Sequence, residues 1–144
     1  MPLHVPMYDP RMVQPMREEL VRSGFQELRT PDEVDSVLRD VTTPTLVVVN
    51  SVCGCSARNA RPAATLAVQH ERAPTRLFTV FAGQDAEATD RARSYFTGYQ
   101  PSSPQIALLN ADGVAFMLER KDIQGRPAEE LAAALGAAFE QHCV

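Results

Sequence analysis

Apolar residues run without alternation through Thr45-Leu46-Val47-Val48-Val49-Asn50 and again over residues 76–82. Short runs rich in β-branched residues predict strands covered on both faces. Elsewhere the period is helical. Asp9-Pro10 offers an N-cap and a first-turn proline for a helix to about Ser23, with Gly24 as its left-handed stop and Pro15 as a point of kink or restart. Met12, Met16 and Leu20 recur at four-residue spacing and predict its packing face. Residues 25–28 read as a short strand. Thr30-Pro31-Asp32-Glu33 then forms a capping box for a helix with Val34, Val37, Leu38 and Val41 on its apolar side, closed by Pro44.

After Asn50 the chain turns through Ser51-Val52-Cys53-Gly54-Cys55-Ser56 into a helix to about Gln69, inside which Pro62 predicts a kink. Gly83-Gln84-Asp85 opens a further helix whose Ala86, Ala92 and Phe96 can reach the sheet. Strand, helix, strand, helix implies parallel pairing through right-handed crossovers. The pattern then changes: residues 105–109 and 114–118, joined by the turn Asn110-Ala111-Asp112-Gly113, predict an antiparallel hairpin. A last helix begins near Pro127 with Leu131, Leu135, Ala138 and Phe139 on one face. A parallel βαβ unit followed by a hairpin and a terminal helix predicts an α/β protein of thioredoxin-like fold. It would have a central mixed β-sheet flanked by helices and an extra N-terminal helix. Residues 1–144 read as one domain, with residues 1–10, His4 among them, as a mobile N-terminal segment.

Composition narrows the function. At 144 residues a domain buries roughly two thirds of the surface its unfolded chain exposes and needs no disulfide or metal to hold a core. Its three cysteines are therefore available for chemistry. A net charge of −4 argues against a nucleic-acid partner, and no apolar run approaches the roughly 20 residues of a membrane span. Met1-Pro2-Leu3-His4-Val5-Pro6 lacks the cationic and apolar regions of a signal peptide. The expected setting is a reducing cytoplasm, where cysteine motifs are catalytic, redox-sensing or metal-binding more often than structural.

Cys53 stands at the predicted entry of a helix, where unpaired N–H groups and the positive end of the macrodipole favour a thiolate. Arg58 and Arg61 add positive charge in the first turns. Cys53, nearer the helix tip, is assigned as the attacking nucleophile and Cys55 as the resolving thiol. Gly54 is read as the residue whose conformational freedom lets the two approach. A disulfide across Cys53-Gly54-Cys55 closes a small ring, and strained disulfides are the oxidising, labile ones. Two alternatives stand beside this reading: a buried thiol pair without chemistry, and a tetrahedral metal set of Cys53, Cys55, His142 and Cys143. An exchange site with no metal and no bound cofactor is the expectation. His70 reads as a helix cap rather than a catalytic base, and Asp85, Glu87 and Asp90 as helix N-terminal charges. Ser103-Pro104, just before the hairpin, is the remaining punctuation. In a thioredoxin-like fold a cis proline occupies this place, facing the cysteines, and the backbone of the preceding residue can pair with an extended substrate.

Several segments together carry a family resemblance: Asn50-Ser51-Val52-Cys53-Gly54-Cys55, Asn59-Ala60-Arg61-Pro62-Ala63, Phe81-Ala82-Gly83-Gln84-Asp85, Tyr95-Phe96-Thr97-Gly98-Tyr99 and Pro101-Ser102-Ser103-Pro104. In this order, from Val13-Gln14-Pro15-Met16-Arg17 to Cys143, the chain resembles the bacilliredoxin family. The resemblance implies a thiol-disulfide oxidoreductase that removes bacillithiol from S-bacillithiolated client proteins. Cys53 would take the bacillithiol as a mixed disulfide, Cys55 or a second bacillithiol would clear it, and a flavin-dependent bacillithiol-disulfide reductase would regenerate the thiol. Members have also been viewed as disulfide isomerases. Two departures are visible. Val47 stands where thioredoxins proper often carry a buried acid, and Arg58 replaces a small residue usual in the family, where it could aid binding of the malate carboxylates of bacillithiol. Gly54, Ser103, Pro104 and Arg58 are thus expected to bind substrate around Cys53 and Cys55.

Overall fold

A computed structural model describes residues 6–143. Its centre is the apolar run of β2 (Thr45–Asn50), in which every residue is buried. On one side β2 pairs in parallel with β3 (Arg76–Phe81), which pairs in parallel with the short edge strand β1 (Gln26–Glu27). On the other it pairs antiparallel with β4 (Gln105–Asn110), which forms the hairpin with β5 (Gly113–Leu118). The five-stranded order β1-β3-β2-β4-β5 is the mixed sheet of a thioredoxin-like fold. Alternate residues of β2 serve opposite layers, as strand geometry requires. Leu46 and Val48 join the core under α1 (Pro10–Val21), α3 (Arg61–Ala67) and α6 (Ala128–His142). Val47 and Val49 join the core under α2 (Pro31–Leu38) and α4 (Ala86–Arg93). The position where an acid was weighed is therefore a fully buried valine.

The helix α1 starts as its caps dictate, with Asp9 accepting from the Arg11 N–H, and continues through Pro15. Its buried face keeps Leu20 of the predicted stripe, with Met16 half-buried, but not Met12. Val13, Arg17 and Leu20 point inward while Met12 is exposed. The long Arg17 can be buried because Glu27 and Asp85 each accept from its Nη1 at 2.8 Å. Asp85 thus serves a buried ion pair in addition to preceding α4. Residues 7 and 8, inside the segment expected to be mobile, are tied down: Met7 N–H donates to Gly83 O at 3.0 Å, and Tyr8 exchanges hydrogen bonds with the Gln84 side chain. His4 and the rest of residues 1–5 lie outside the described residues.

Thr30 accepts from the Glu33 N–H as expected of a cap, but the Glu33 carboxylate reaches back to Arg29 rather than to Thr30. The helix α2 ends at Leu38, well before Pro44, so Val41 packs from a loop. In α4 it is Ala88, Thr89 and Ala92 that are buried, with Phe96 just beyond; Ala86, at the first turn, is only half-buried. One element escaped the pattern altogether. The single turn α5 (Arg120–Ile123) follows β5 and is held by a capping box between Glu119 and Asp122. Among the described residues no helix is long and apolar enough to cross a membrane.

Candidate functional site

The thiol pair lies where β2 runs out. Gly54 and Cys55 are already helical, residues Ser56–Ala60 form a π-helical turn, and α3 continues from Arg61. The kink anticipated from Pro62 is realised as this wide turn. Pro62 has no N–H to give to the carbonyl four residues back and its ring crowds that carbonyl. The Arg61 N–H just before it bonds to Ser56 O, five residues back, and the helix widens there.

Cys53 precedes the helix, and its carbonyl accepts from the N–H groups of Ser56 at 3.0 Å and Ala57 at 3.1 Å. Its Sγ lies 3.3 Å from Ser51 Oγ and 3.8 Å from Ser56 Oγ, and the two hydroxyls are 2.6 Å apart. With a thiolate at Cys53, either Ser51 donates to the sulfur and Ser56 to Ser51, or Ser56 donates to the sulfur and Ser51 to Ser56; in both, one hydroxyl proton reaches the sulfur and the other joins the two hydroxyls. Burial by itself would raise the Cys53 pKa. The Ser51 hydroxyl, the Ser56 N–H and hydroxyl and the Cys55 N–H outweigh it, and the thiol is lowered from 9.0 to about 7. Charge-assisted hydrogen bonds are the stronger kind, and several converge on one sulfur here.

Arg61 holds this arrangement from beneath. It is buried, and its Nη1 donates to Asn50 Oδ1 at 3.0 Å and to Ser51 O at 2.8 Å, while its Nε donates to Glu19 at 3.1 Å. Asn50 Oδ1 also accepts from the Ser51 N–H at 2.9 Å, and Asn50 Nδ2 donates to Met16 O. Arg61 therefore anchors the loop that carries Ser51, in place of the role read from its charge alone.

Gly54 differs from its expected use. It takes a helical conformation with no positive φ, so its dihedral angles do not require glycine. What the glycine gives is space: a Cβ there would meet Arg58 Nη2 at 2.5 Å, and the flexible guanidinium would have to move aside. The missing side chain lets the exposed Arg58 guanidinium lie over the motif. Cys53 and Cys55 are both free thiols and both half-buried.

Ser103-Pro104 is a cis peptide. In the β2–β4 register Val49 faces Gln105, so the two residues preceding Gln105 flank the end of β2 that leads to Cys53. The Ser103 carbonyl accepts from Arg120 Nη1 at 3.1 Å, and the Ser102 carbonyl from Arg93 Nη2 at 2.7 Å. The alternative metal set is drawn apart. Cys143 borders a cavity of about 270 Å³ with Thr43, Pro44 and Thr75, beside the starts of β2 and β3, at the opposite end of the strands from Cys53. No cluster of His, Cys, Asp and Glu able to hold a metal occurs among the described residues. His70 accepts from the Arg72 N–H through Nδ1 and faces Glu140 and Phe139, a bridge between the end of α3 and α6.

Ser51, Ser56 and Arg120 were missed in the sequence. The first two had a faint signal, hydroxyls at two residues before and three after Cys53. Only the winding of the turn brings them to one sulfur.

The sequence profile of a family described as disulphide isomerase matches residues 8–143. A Koribacter versatilis protein named bacilliredoxin is 52% identical over 137 residues, covering 95% of this chain and 94% of its own. A bacilliredoxin of Geobacillus kaustophilus is also 52% identical over 137 residues, covering 94% of each chain. One from Staphylococcus saprophyticus is 47% identical over 144 residues, covering 100% of this chain and 99% of its own.

Proposed function

The chain belongs to the bacilliredoxin family, a family of thiol–disulfide redox proteins, and from that premise we propose that it removes bacillithiol from S-bacillithiolated client proteins. The observation that carries the reading is the Cys53 thiol, lowered to about 7 by hydroxyl and backbone donors and two residues from a second free thiol. Near neutral pH such a thiol is substantially ionised, and the thiolate is the attacking species in exchange.

The Cys53 thiolate attacks the bacillithiol sulfur of the mixed disulfide. A Cys53–bacillithiol disulfide forms, the client S–S bond breaks, and the client cysteine leaves as a thiolate that takes a proton from solvent. Cys55, or a second bacillithiol, then attacks the adduct; the first route attacks the Cys53 sulfur, leaves a Cys53–Cys55 disulfide and releases bacillithiol, and the second attacks the bacillithiol sulfur, frees the Cys53 thiolate and leaves bacillithiol disulfide for a dedicated reductase. Bacillithiol is here the thiol co-substrate, with no resident cofactor, metal, nucleic acid or membrane in the scheme, and the setting is the cytoplasm. Gly54, Arg58 and the Ser103-Pro104 backbone line the approach to Cys53. Hydroxyl donors that favour the free thiolate also make Cys53 a good leaving group, which suits the route in which a second bacillithiol attacks the bacillithiol sulfur of the adduct.

Intact-mass measurement after exposure to a bacillithiolated client tests the scheme. The Cys53→Ser variant should leave the client modified, and Cys55→Ser should accumulate the Cys53 adduct when free bacillithiol is withheld. Equal, small effects of both substitutions would refute it.

A further inference from the structure

Most arginines of this chain meet a carboxylate, among them Arg11, Arg17, Arg22, Arg39, Arg61 and Arg91. Arg58 and Arg120 make no ion pair among the described residues, and both stand at the Cys53 end of the sheet. Arg58 lies over Gly54, between the two cysteines. Arg120 reaches the Ser103 carbonyl with one nitrogen, beside the end of β2. Their elements are joined, because Asn59, next to Arg58, donates to the carbonyl of Arg126 in the loop that follows α5. Arg93 also lacks a carboxylate but is spent on Ser102 O and Gln105. Arg72 and Arg76, likewise without one, lie at the other end of the strands, before or at the start of β3.

A cavity of about 400 Å³ opens beside Arg120, lined also by Gln100, Ser102, Glu119, Lys121 and Gln124. The acid in it is already committed: Glu119 caps α5 and sits 3.6 Å from Lys121 Nζ. Exposed guanidinium groups that find no partner in a chain of net charge −4 are cations left for a ligand.

We propose that Arg58 and Arg120 form a carboxylate-recognition site on the two flanks of Cys53, which holds the anionic portion of the small thiol while its sulfur is exchanged. Arg58 meets the ligand from the helix side and Arg120 from the α5 side, its remaining N–H groups free for a second carboxylate oxygen. The identity of that thiol as bacillithiol rests on the function proposed above; the preference for carboxylates does not.

Two alkylating agents read the site directly. Iodoacetate and iodoacetamide share a leaving group and consume the same thiolate, so the ratio of their rates at Cys53 cancels any change in ionisation and reports the local charge. The full chain is alkylated at low ionic strength and the modified cysteine is located by peptide mass. Exposed arginine–carboxylate contacts change such a ratio by about twofold to fivefold each. Arg58→Gln and Arg120→Gln should each lower it by about that factor and the double variant by their product, whereas Arg120→Lys should retain most of it and Arg11→Gln should match the unaltered chain. A ratio unchanged in the double variant overturns the proposal, as does a fall equally large in Arg11→Gln. Release of bacillithiol from a modified client is measured alongside. A lowered ratio with no release by the unaltered chain would sink the proposed function and leave the carboxylate site standing; normal release with an unchanged ratio would do the reverse.

Discussion

Cys53 and Cys143 sit beyond opposite ends of the central strands, both free and both half-buried, and their surroundings push them in opposite directions. At Cys143 burial acts alone and raises the pKa. At Cys53 burial acts in the same sense, but hydroxyl and backbone donors reverse it and bring the value to about 7. Partial exposure is therefore not what decides a cysteine's pKa in this molecule. Donors aimed at the sulfur are, and they are supplied by the turn that joins β2 to a widened helix, whereas Cys143 follows the last turn of α6 and among the described residues burial alone shifts it.

The sharpest way to break this comparison is to exchange the two cysteines' fates. Cys53→Ser should abolish debacillithiolation of a client, read by released bacillithiol, while Cys143→Ser should leave the rate within a factor of about two, since a thiol held protonated by burial contributes no nucleophile. Loss of activity in Cys143→Ser would end the contrast. Next in size is the support beneath the reactive end. Arg61→Met leaves Glu19, Asn50 Oδ1 and Ser51 O without their buried partner, and a cost of ~3 kcal/mol in urea unfolding is expected. A variant as stable as the parent would mean that the anchor is dispensable. Ser51→Ala removes the nearest donor and should raise the Cys53 pKa by about one unit, ~1.4 kcal/mol, read from ultraviolet thiolate absorbance against pH. An unmoved titration would assign the lowering to Ser56 and the backbone donors.

Stability against pH carries the same contrast, and its sign differs between the two ends. Cys53 ionises more readily folded than unfolded, so its contribution grows as pH rises above about 7, is complete above 9.0, and is lost as pH falls back through about 7. Cys143, with its pKa raised, contributes below 9.0 and loses that contribution as pH rises further. Unfolding of the reduced chain across this window should show the rise vanish in Cys53→Ser and persist in Cys143→Ser. Identical slopes in both variants would contradict the assignment.

The sheet was legible because its cues are local and redundant. The apolar run of β2, the Asn110–Gly113 turn and the apolar face of α6 each state their own geometry, and the ordered motifs pointed to the family. Cys53, Cys55 and the Ser103-Pro104 step were visible for the same reason. What could not be read are features that depend on where side chains end up after folding. Periodicity offers an apolar Met12 and a charged Arg17 and prefers the methionine; Glu27 and Asp85, distant in sequence, make the opposite choice sound. Arg61 likewise reads as surface charge until Asn50 and Ser51 O are found beside it. Gly54 was read for conformational freedom, whereas its visible effect is the close approach of Arg58, a through-space fact.

The π-helical turn at Ser56–Ala60 also sets how the chain tolerates a change of length. Each residue of an α-helix advances the chain by about 100° around the axis, and a π turn holds one residue more than an α turn. Downstream, Ala63, Ala64 and Ala67 are fixed by the core they face. The extra residue therefore works as an index between two frames, one set by packing and one by the thiols. A homologue one residue shorter between Ser56 and Ala60 would keep the alanine face seated and change by that same angle how the thiol-bearing turn is presented to it, so a single-residue gap placed here in an alignment marks a rearranged site rather than a harmless deletion.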